Sequence, residues 1–286
     1  MEKNNAHKRQ TGFYYFLRIL SLIAAVIVCV ALIAIIAYVL INGLDKLSLQ
    51  LLIGEYKEES PSILPAFIGT IELVIISAVI AVPIGCATAI YLVEYTGRKG
   101  KLVKAIRIAV ETLAGIPSIV YGLFGYLVFV VAFGWGYSII CGGLTLAIMI
   151  LPVLVRSTEE SLLAVPASFR EGSFALGASK VRTIFKVVLP SAASGIVTAI
   201  ILAIGRVVSE SAVLILTIGM VVNKVPEDVF SPGTSLALDI YYLANHGHPD
   251  EAAATSVVLL VFVIFLNLIA SAVGKLIKKS TGDISL

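Results

Sequence analysis

The sequence predicts an all-α polytopic membrane protein: six transmembrane helices with both termini in the cytoplasm. Three observations carry this. The composition is 59% hydrophobic and only 14% charged, with a mean hydropathy of +1.02, well outside the range of soluble domains. Six apolar runs reach the roughly 20 residues a helix needs to cross a hydrocarbon core of about 30 Å. The basic residues between those runs alternate sides. The N-terminus (Lys3, Lys8, Arg9, Arg18), the second loop (Arg98, Lys99, Lys101, Lys104, Arg107), the long fourth loop (Arg156, Arg170, Lys180, Arg182, Lys186) and the C-terminus (Lys275, Lys278, Lys279) hold seventeen Lys and Arg, against three (Lys46, Lys57, Lys224) in the alternate loops. The basic set marks the cytoplasmic side.

The elements follow in order. Residues 1–16 are expected to form a cytoplasmic N-terminal tail, 17–274 a six-helix transmembrane domain and 275–286 a cytoplasmic C-terminal tail. The first span, about 17–42, is longer than the 7–15 residues of a signal-peptide core and reads as a retained helix. The second, about 67–93, carries Glu72 near its outer end and Pro83 inside. The third, about 108–133, carries Glu111 near its inner end and Pro117 among Gly115, Gly122 and Gly125, which makes Pro117 a possible helix hinge. The fourth, about 138–155, contains Pro152. A long cytoplasmic loop, about 156–190, separates it from the fifth span, about 190–222, which starts at Pro190, a residue well tolerated in a first turn. The outer loops, about 43–66 and 223–251, are acidic, and 234–244 is apolar enough for a short helix at the membrane surface. The sixth span is about 252–274.

Arg206 and Glu210 stand out because they lie within the fifth span. At i and i+4 of one helix they share a face. Ser191, Gly195, Ala199 and Ala203 lie on the same stripe, a small-residue ladder of the kind that lets membrane helices approach closely. Arg206 is therefore expected at a packed seam or a cavity rather than in lipid, where exposure costs roughly 2.5–3.5 kcal/mol or more. Two roles remain open for the pair: an intramembrane ion pair that fixes packing, or a guanidinium lining an anion path, with Glu210 holding it. A guanidinium suits an oxyanion because its planar donors engage two oxygens at once.

The run Arg170–Pro190, REGSFALGASKVRTIFKVVLP, resembles the "EAA…G…I-x-LP" loop of ABC importer permeases, with Glu171, Gly172, Ser173 and Gly177 at its turn and Val187-x-Leu189-Pro190 at its end. The resemblance implies a type I ABC importer permease fold whose cytoplasmic loop forms two short coupling helices that press into a separate ATPase. Gly172 and Ser173 replace two alanines of the pattern and Val187 an isoleucine. ETLAGIPSIVYGLFG (111–125), TAIYLVEY (88–95), GRVVSESAVLILTIG (205–219) and ALDIYYLANHGHPDEA (238–253) resemble the permeases of phosphate-specific ABC importers, the PstA-type subunit more than the PstC-type. Ser211-Ala212-Val213 lacks the proline that PstA-type chains usually carry there.

The resemblance implies a membrane subunit that moves inorganic phosphate and is not itself an enzyme. Its partners would be a second, PstC-like permease, two PstB-like ATPase subunits and a PstS-like extracytoplasmic phosphate-binding protein. ATP and Mg²⁺ would bind those ATPases, and no cofactor this chain. Arg206 and Glu210 would lie on the substrate pathway. The sequence itself has no GxxxxGK[ST] phosphate loop, no metal-ligand constellation and no nucleic-acid signature. Cys29, Cys86 and Cys141 all fall in apolar runs and read as small buried hydrophobes. The alternatives are an ABC permease for sulfate or molybdate and, from another class, an ion-coupled secondary transporter using Arg206 and Glu210 as a relay, which leaves the 171–190 loop unexplained.

Overall fold

The computed structural model describes residues 2–58, 60–95 and 100–280. Arg98 and Lys99 of the second basic loop and 281–286 of the C-terminal tail fall outside them. The described elements are helical: α1 (Glu2–Leu44), α2 (Leu49–Ile53), α3 (Leu64–Ile90) extended by a π-turn Tyr91–Tyr95, α4 (Lys101–Ala114), α5 (Ser118–Gly125) extended by a π-turn Tyr126–Ala132, α6 (Ile139–Leu163), α7 (Ala167–Ala175), α8 (Lys180–Thr183) followed by a π-turn Ile184–Val188, α9 (Leu189–Val208), α10 (Ala212–Ile215), α11 (Leu236–Asn245) and α12 (Pro249–Ser280). Among the described residues five helices are long and apolar enough to cross a membrane, and the bent pair Lys101–Ala114 with Ser118–Ala132 makes a sixth if counted as one span.

Contacts sort the element ends into two groups. Glu94 after α3, Arg107 on α4, Glu159 on α6 and Arg170 on α7 meet at one end, through the Arg107–Glu159 and Arg170–Glu94 ion pairs. This is the basic end. At the other, acidic end, Lys46 pairs with Asp250 at 2.7 Å, Gly43 lies against the Ala253 carbonyl, and the Leu236 N–H donates to Thr70 Oγ1 at 2.9 Å.

Helix α6 is the axis. Its Leu146, Ile150 and Leu154 are fully buried against Leu73 and Ala81 of α3, Ala203 and Val207 of α9, and Val213, Leu214 and Ile218 beyond it. Between apolar helices in lipid the favourable term is close packing rather than escape from water. Helix α1 is the opposite case: its apolar span, Tyr14–Leu44, has no buried residue in its most hydrophobic stretch, and its main helical neighbour is α12.

Caps mark several boundaries. Ser48 and Ser235 accept from the N–H groups of Leu51 and Leu238, starting α2 and α11. Pro65 sits in the first turn of α3, where a missing N–H costs nothing; Pro190, expected at a helix start, instead lies inside the helix that runs from Lys180 to Val208, just after its π-turn. Helix α11 coincides with the short helix expected over 234–244. The basic start 2–16 is continuous with α1.

Three spans differ from expectation. The third is not one helix over 108–133. It breaks at Gly115–Pro117 and turns through 102°, because Pro117 removes a helical N–H and forces Ile116 out of the helical region. Side by side along α6, the pair still runs from one end of the bundle to the other: Arg107 meets Glu159, Gly125 meets Thr145, and Phe129 packs with Cys141. The fourth helix continues to Leu163, past the expected 155, with Glu159 paired to Arg107 and Arg156 to Glu160. The fifth runs from Lys180 to Val208, where 190–222 was expected.

Candidate coupling surface and intramembrane arginine

The basic end presents one short helix, α7, turned at a corner against α8; where the loop resemblance implies two short helices, α8 is the first turn of a helix that runs unbroken from Lys180 to Val208. Helix α7 closes in a Schellman arrangement: the Ala178 N–H donates to the Ser173 carbonyl at 3.1 Å and the Gly177 N–H to the Phe174 carbonyl at 2.9 Å. The geometry requires a left-handed residue after the cap. Gly177 supplies it at φ +78° with no neighbour within 4 Å of a would-be Cβ, so the backbone conformation, not crowding, selects glycine. Ser179 then caps α8 by accepting from the Arg182 N–H, and Ser173 Oγ bonds Thr183 Oγ1 at 2.9 Å, tying α7 to α8.

The corner is apolar on its outer side. Leu176 is 90% exposed, and Phe174, Val181 and Phe185 are also exposed. Apolar side chains gathered on a solvent-facing helical corner mark a contact surface. Glu171, Gly172 and Gly177 lie on this exposed corner, while Ser173 turns inward to α8.

The structure does not join Arg206 to Glu210. Among the described residues no ion pair links them. The helix that was expected to carry both stops at Val208, and Glu210 belongs to the next turn: its Oε1 accepts from the N–H groups of Ala212 and Val213 at 3.1 and 3.3 Å, capping α10. Its negative charge is spent on backbone donors, which a carboxylate satisfies well at a helix start. Arg206 lies in the last turn of α9, where the helix dipole favours a cation. It is also not buried in a seam; it is exposed on the single chain. The small-residue ladder does pack, with Gly195 against Ser161 and Ala199 and Ala203 buried, but that seam ends before the arginine.

The open face around Arg206 connects to the broken third span. Tyr121 packs in one cluster with Val207, next to Arg206, and with Val213 of α10, and its hydroxyl donates to the Leu113 carbonyl at 2.8 Å across the break. Pro117 stands at the break itself, as the N-cap of α5. Helix α5 packs on α10 through Gly122, where a Cβ would meet the Val213 Cα and carbonyl oxygen at 3.0 Å. Arg206, Tyr121 and the Glu210-capped α10 thus form one neighbourhood. The sequence signalled its charges but not the helix end that separates them. Of the other charges within spans, Glu72 is half-buried and Glu111 is exposed.

Residues 81–282 match the family described as "Binding-protein-dependent transport system inner membrane component". The chain belongs to this family. It is a multi-pass membrane permease of the ABC importer class, whose ATP hydrolysis lies in separate subunits. A protein of Bacillus subtilis (strain 168) named "Probable ABC transporter permease protein YqgI" is 34% identical, with 98% of each chain covered. "Phosphate transport system permease protein PstA 1" of Mycobacterium tuberculosis (strain ATCC 25618 / H37Rv) is 36% identical, covering 73% of this chain and 68% of its own. Among solved structures, the MetNI methionine ABC transporter superposes with a TM-score of 0.61 at 21% identity, over 73% of this chain and 93% of that one. The fold is that of an ABC importer permease.

Proposed function

We propose that this permease is the PstA-type subunit of a phosphate importer. The observation that carries the substrate is the set of relatives named as phosphate transport permeases, 34–36% identical over 72–73% of the chain. In this reading the basic end is cytoplasmic. Leu176 and the apolar corner around Gly177 seat in an ATPase subunit, one of two PstB-like copies. A PstC-like permease covers the open face carrying Arg206, and a PstS-like protein delivers phosphate at the acidic end. Arg206 then lines the pathway as a planar, always charged donor. Because Glu210 is engaged by α10, the arginine offers its fork to a passing oxyanion rather than to a carboxylate. Exposure to the pathway keeps that contact weak enough for release. Pro117 is the hinge about which α4 and α5 change their angle.

The test is uptake by the complex of all four kinds of subunit, reconstituted in vesicles. ATP-dependent accumulation of labelled phosphate, undiminished by excess sulfate or molybdate, is the expected result. Uptake of sulfate or molybdate in place of phosphate would reassign the substrate, and accumulation without the ATPase would remove the chain from ATP-driven transport.

A further inference from the structure

Arg170 precedes the turn residues on α7, yet its side chain points away from the exposed corner and into the bundle. Nε and Nη2 donate to Glu94 Oε1 at 3.0 and 2.7 Å, Nη1 to the Val165 carbonyl at 2.9 Å, and Nη2 also to the Leu162 carbonyl at 3.0 Å. The two side chains are 20% and 8% exposed. Leu162 and Val165 stand at the C-terminal end of α6, where carbonyls lack helical partners and attract a cation. One guanidinium therefore joins three elements: α7, the end of α6 and the π-turn that extends α3.

The connection to α3 is the informative one. Helices α6 and α9 flank the α7–α8 unit in the chain, so they follow it through covalent links. Helix α3 is 76 residues away from Arg170 at Glu94 and has no such link. Beneath the ion pair, Ala89, Ile90 and Val93 of α3 and its π-turn pack with Leu162, Val165, Phe169, Val188 and Ala192. Those apolar contacts resist separation but slide easily. The forked, charge-assisted bonds fix direction and register. Glu94 reaches Arg170 from a turn wound at i→i+5, a form often found at functional positions. At its far end α3 is held again: Thr70 Oγ1 accepts from the Leu236 N–H, and Gly69 lies against the Thr234 carbonyl. Helix α3 and its π-turn run unbroken from Leu64 to Tyr95, through Pro83, between the coupling unit and the segment that leads into α11.

We propose that the Arg170–Glu94 pair is the joint through which movement of the α7–α8 unit is passed to α3, and through α3 to the 234–236 segment at the acidic end. The proposal rests on the ABC importer reading above. It gives Arg170 and Glu94 a positioning role; neither touches ATP or substrate. A purely structural ion pair would, when broken, lower uptake and hydrolysis together as less complex survives. A joint would, when broken, leave hydrolysis running while uptake falls behind it. The ratio of phosphate moved to ATP hydrolysed separates the two.

The experiment uses the full reconstituted complex, first as wild type, then with Glu94→Gln, Arg170→Gln, both together, and Arg170→Lys. A wild type with no phosphate-dependent transport refutes the function proposed above, not this joint. With a working wild type, each Gln variant is expected to assemble by size-exclusion chromatography and to lose at least tenfold in transport per ATP. The double variant should be no worse than the singles, because one contact is lost once. Arg170→Lys keeps the charge but not the fork, and should fall between. Unchanged ratios in assembled variants, losses that multiply in the double variant, or failure of every variant to assemble would each overturn the proposal; the last would make the pair a folding clamp.

Discussion

Arg206 illustrates how far a single side chain is set by where its helix stops. Had α9 continued, Arg206→Gln would leave Glu210 unpaired in the membrane and destabilise the fold. With Glu210 bonded to the Ala212 and Val213 N–H groups, the same change strands nothing. The expected outcome is an assembled, normally stable complex with phosphate uptake reduced at least tenfold, and partial recovery with Arg206→Lys. Thermal stability in detergent and vesicle uptake check the two halves. Asp239, on α11, gives a second residue-scale prediction. It is 2% exposed, and burial pushes its carboxyl up to about 7 from an unfolded value of 3.8. The folded state thus holds the proton more tightly than the unfolded chain. That stabilisation is complete below about pH 4 and is lost as pH rises through about 7, beyond which it no longer changes. Unfolding temperature should fall between pH 5 and pH 8, and Asp239→Asn should flatten that fall. Both residues are visible in the sequence as charges in apolar surroundings. Their exposure is not, since burial depends on helix ends that an unbroken apolar run conceals.

At the scale of elements, the same concealment explains what could be read and what could not. Spans one, two and six appear as long apolar runs and fold as such, within a few residues. The loop 171–190 is legible because its Gly and Pro stand at turn positions, and Gly177 does adopt the positive φ that only glycine takes without strain. The third and fifth spans hide their breaks: long apolar runs lie beyond Pro117 and beyond the Arg206–Ser211 stretch on both sides, so hydropathy averaged over a span runs straight through. What turns them is local chemistry, a proline at one and a carboxylate cap at the other. These two broken segments meet at Gly122, where α5 lies on the backbone of α10. A side chain there must displace Val213 backbone atoms that approach to 3.0 Å. Gly122→Ala should be tolerated with small loss, whereas Gly122→Leu should destabilise by about 1–3 kcal/mol through overpacking and reduce uptake by parting α5 from α10. Chemical unfolding of the purified complex, set beside uptake, distinguishes the two substitutions.

For the whole molecule, orientation is the property on which composition bears most directly. Arg107 and Arg170, from two of the basic loops, meet carboxylates at one end, and Lys46, from the alternate set, pairs with Asp250 at the other. With Cys29, Cys86 and Cys141 replaced by alanine, single cysteines at Ser60 and Asp228 should react in intact cells with a thiol reagent that cannot cross the membrane. One at Ser179 should react only after the cells are opened. Labelling of position 179 from outside would invert the assignment of sides and, with it, the docking of an ATPase at Leu176.

Helix α1 touches the rest of the chain chiefly through α12, with Gly43 against Ala253 about 210 residues later. A ribosome adding about 5–20 residues per second needs roughly 10–40 s to make that distance. For that interval the first helix has been synthesised and its docking surface has not. It must therefore be soluble in lipid by itself, and its uniformly apolar surface makes it so. A charge placed on its middle would act on biogenesis, during the wait, before any transport cycle began.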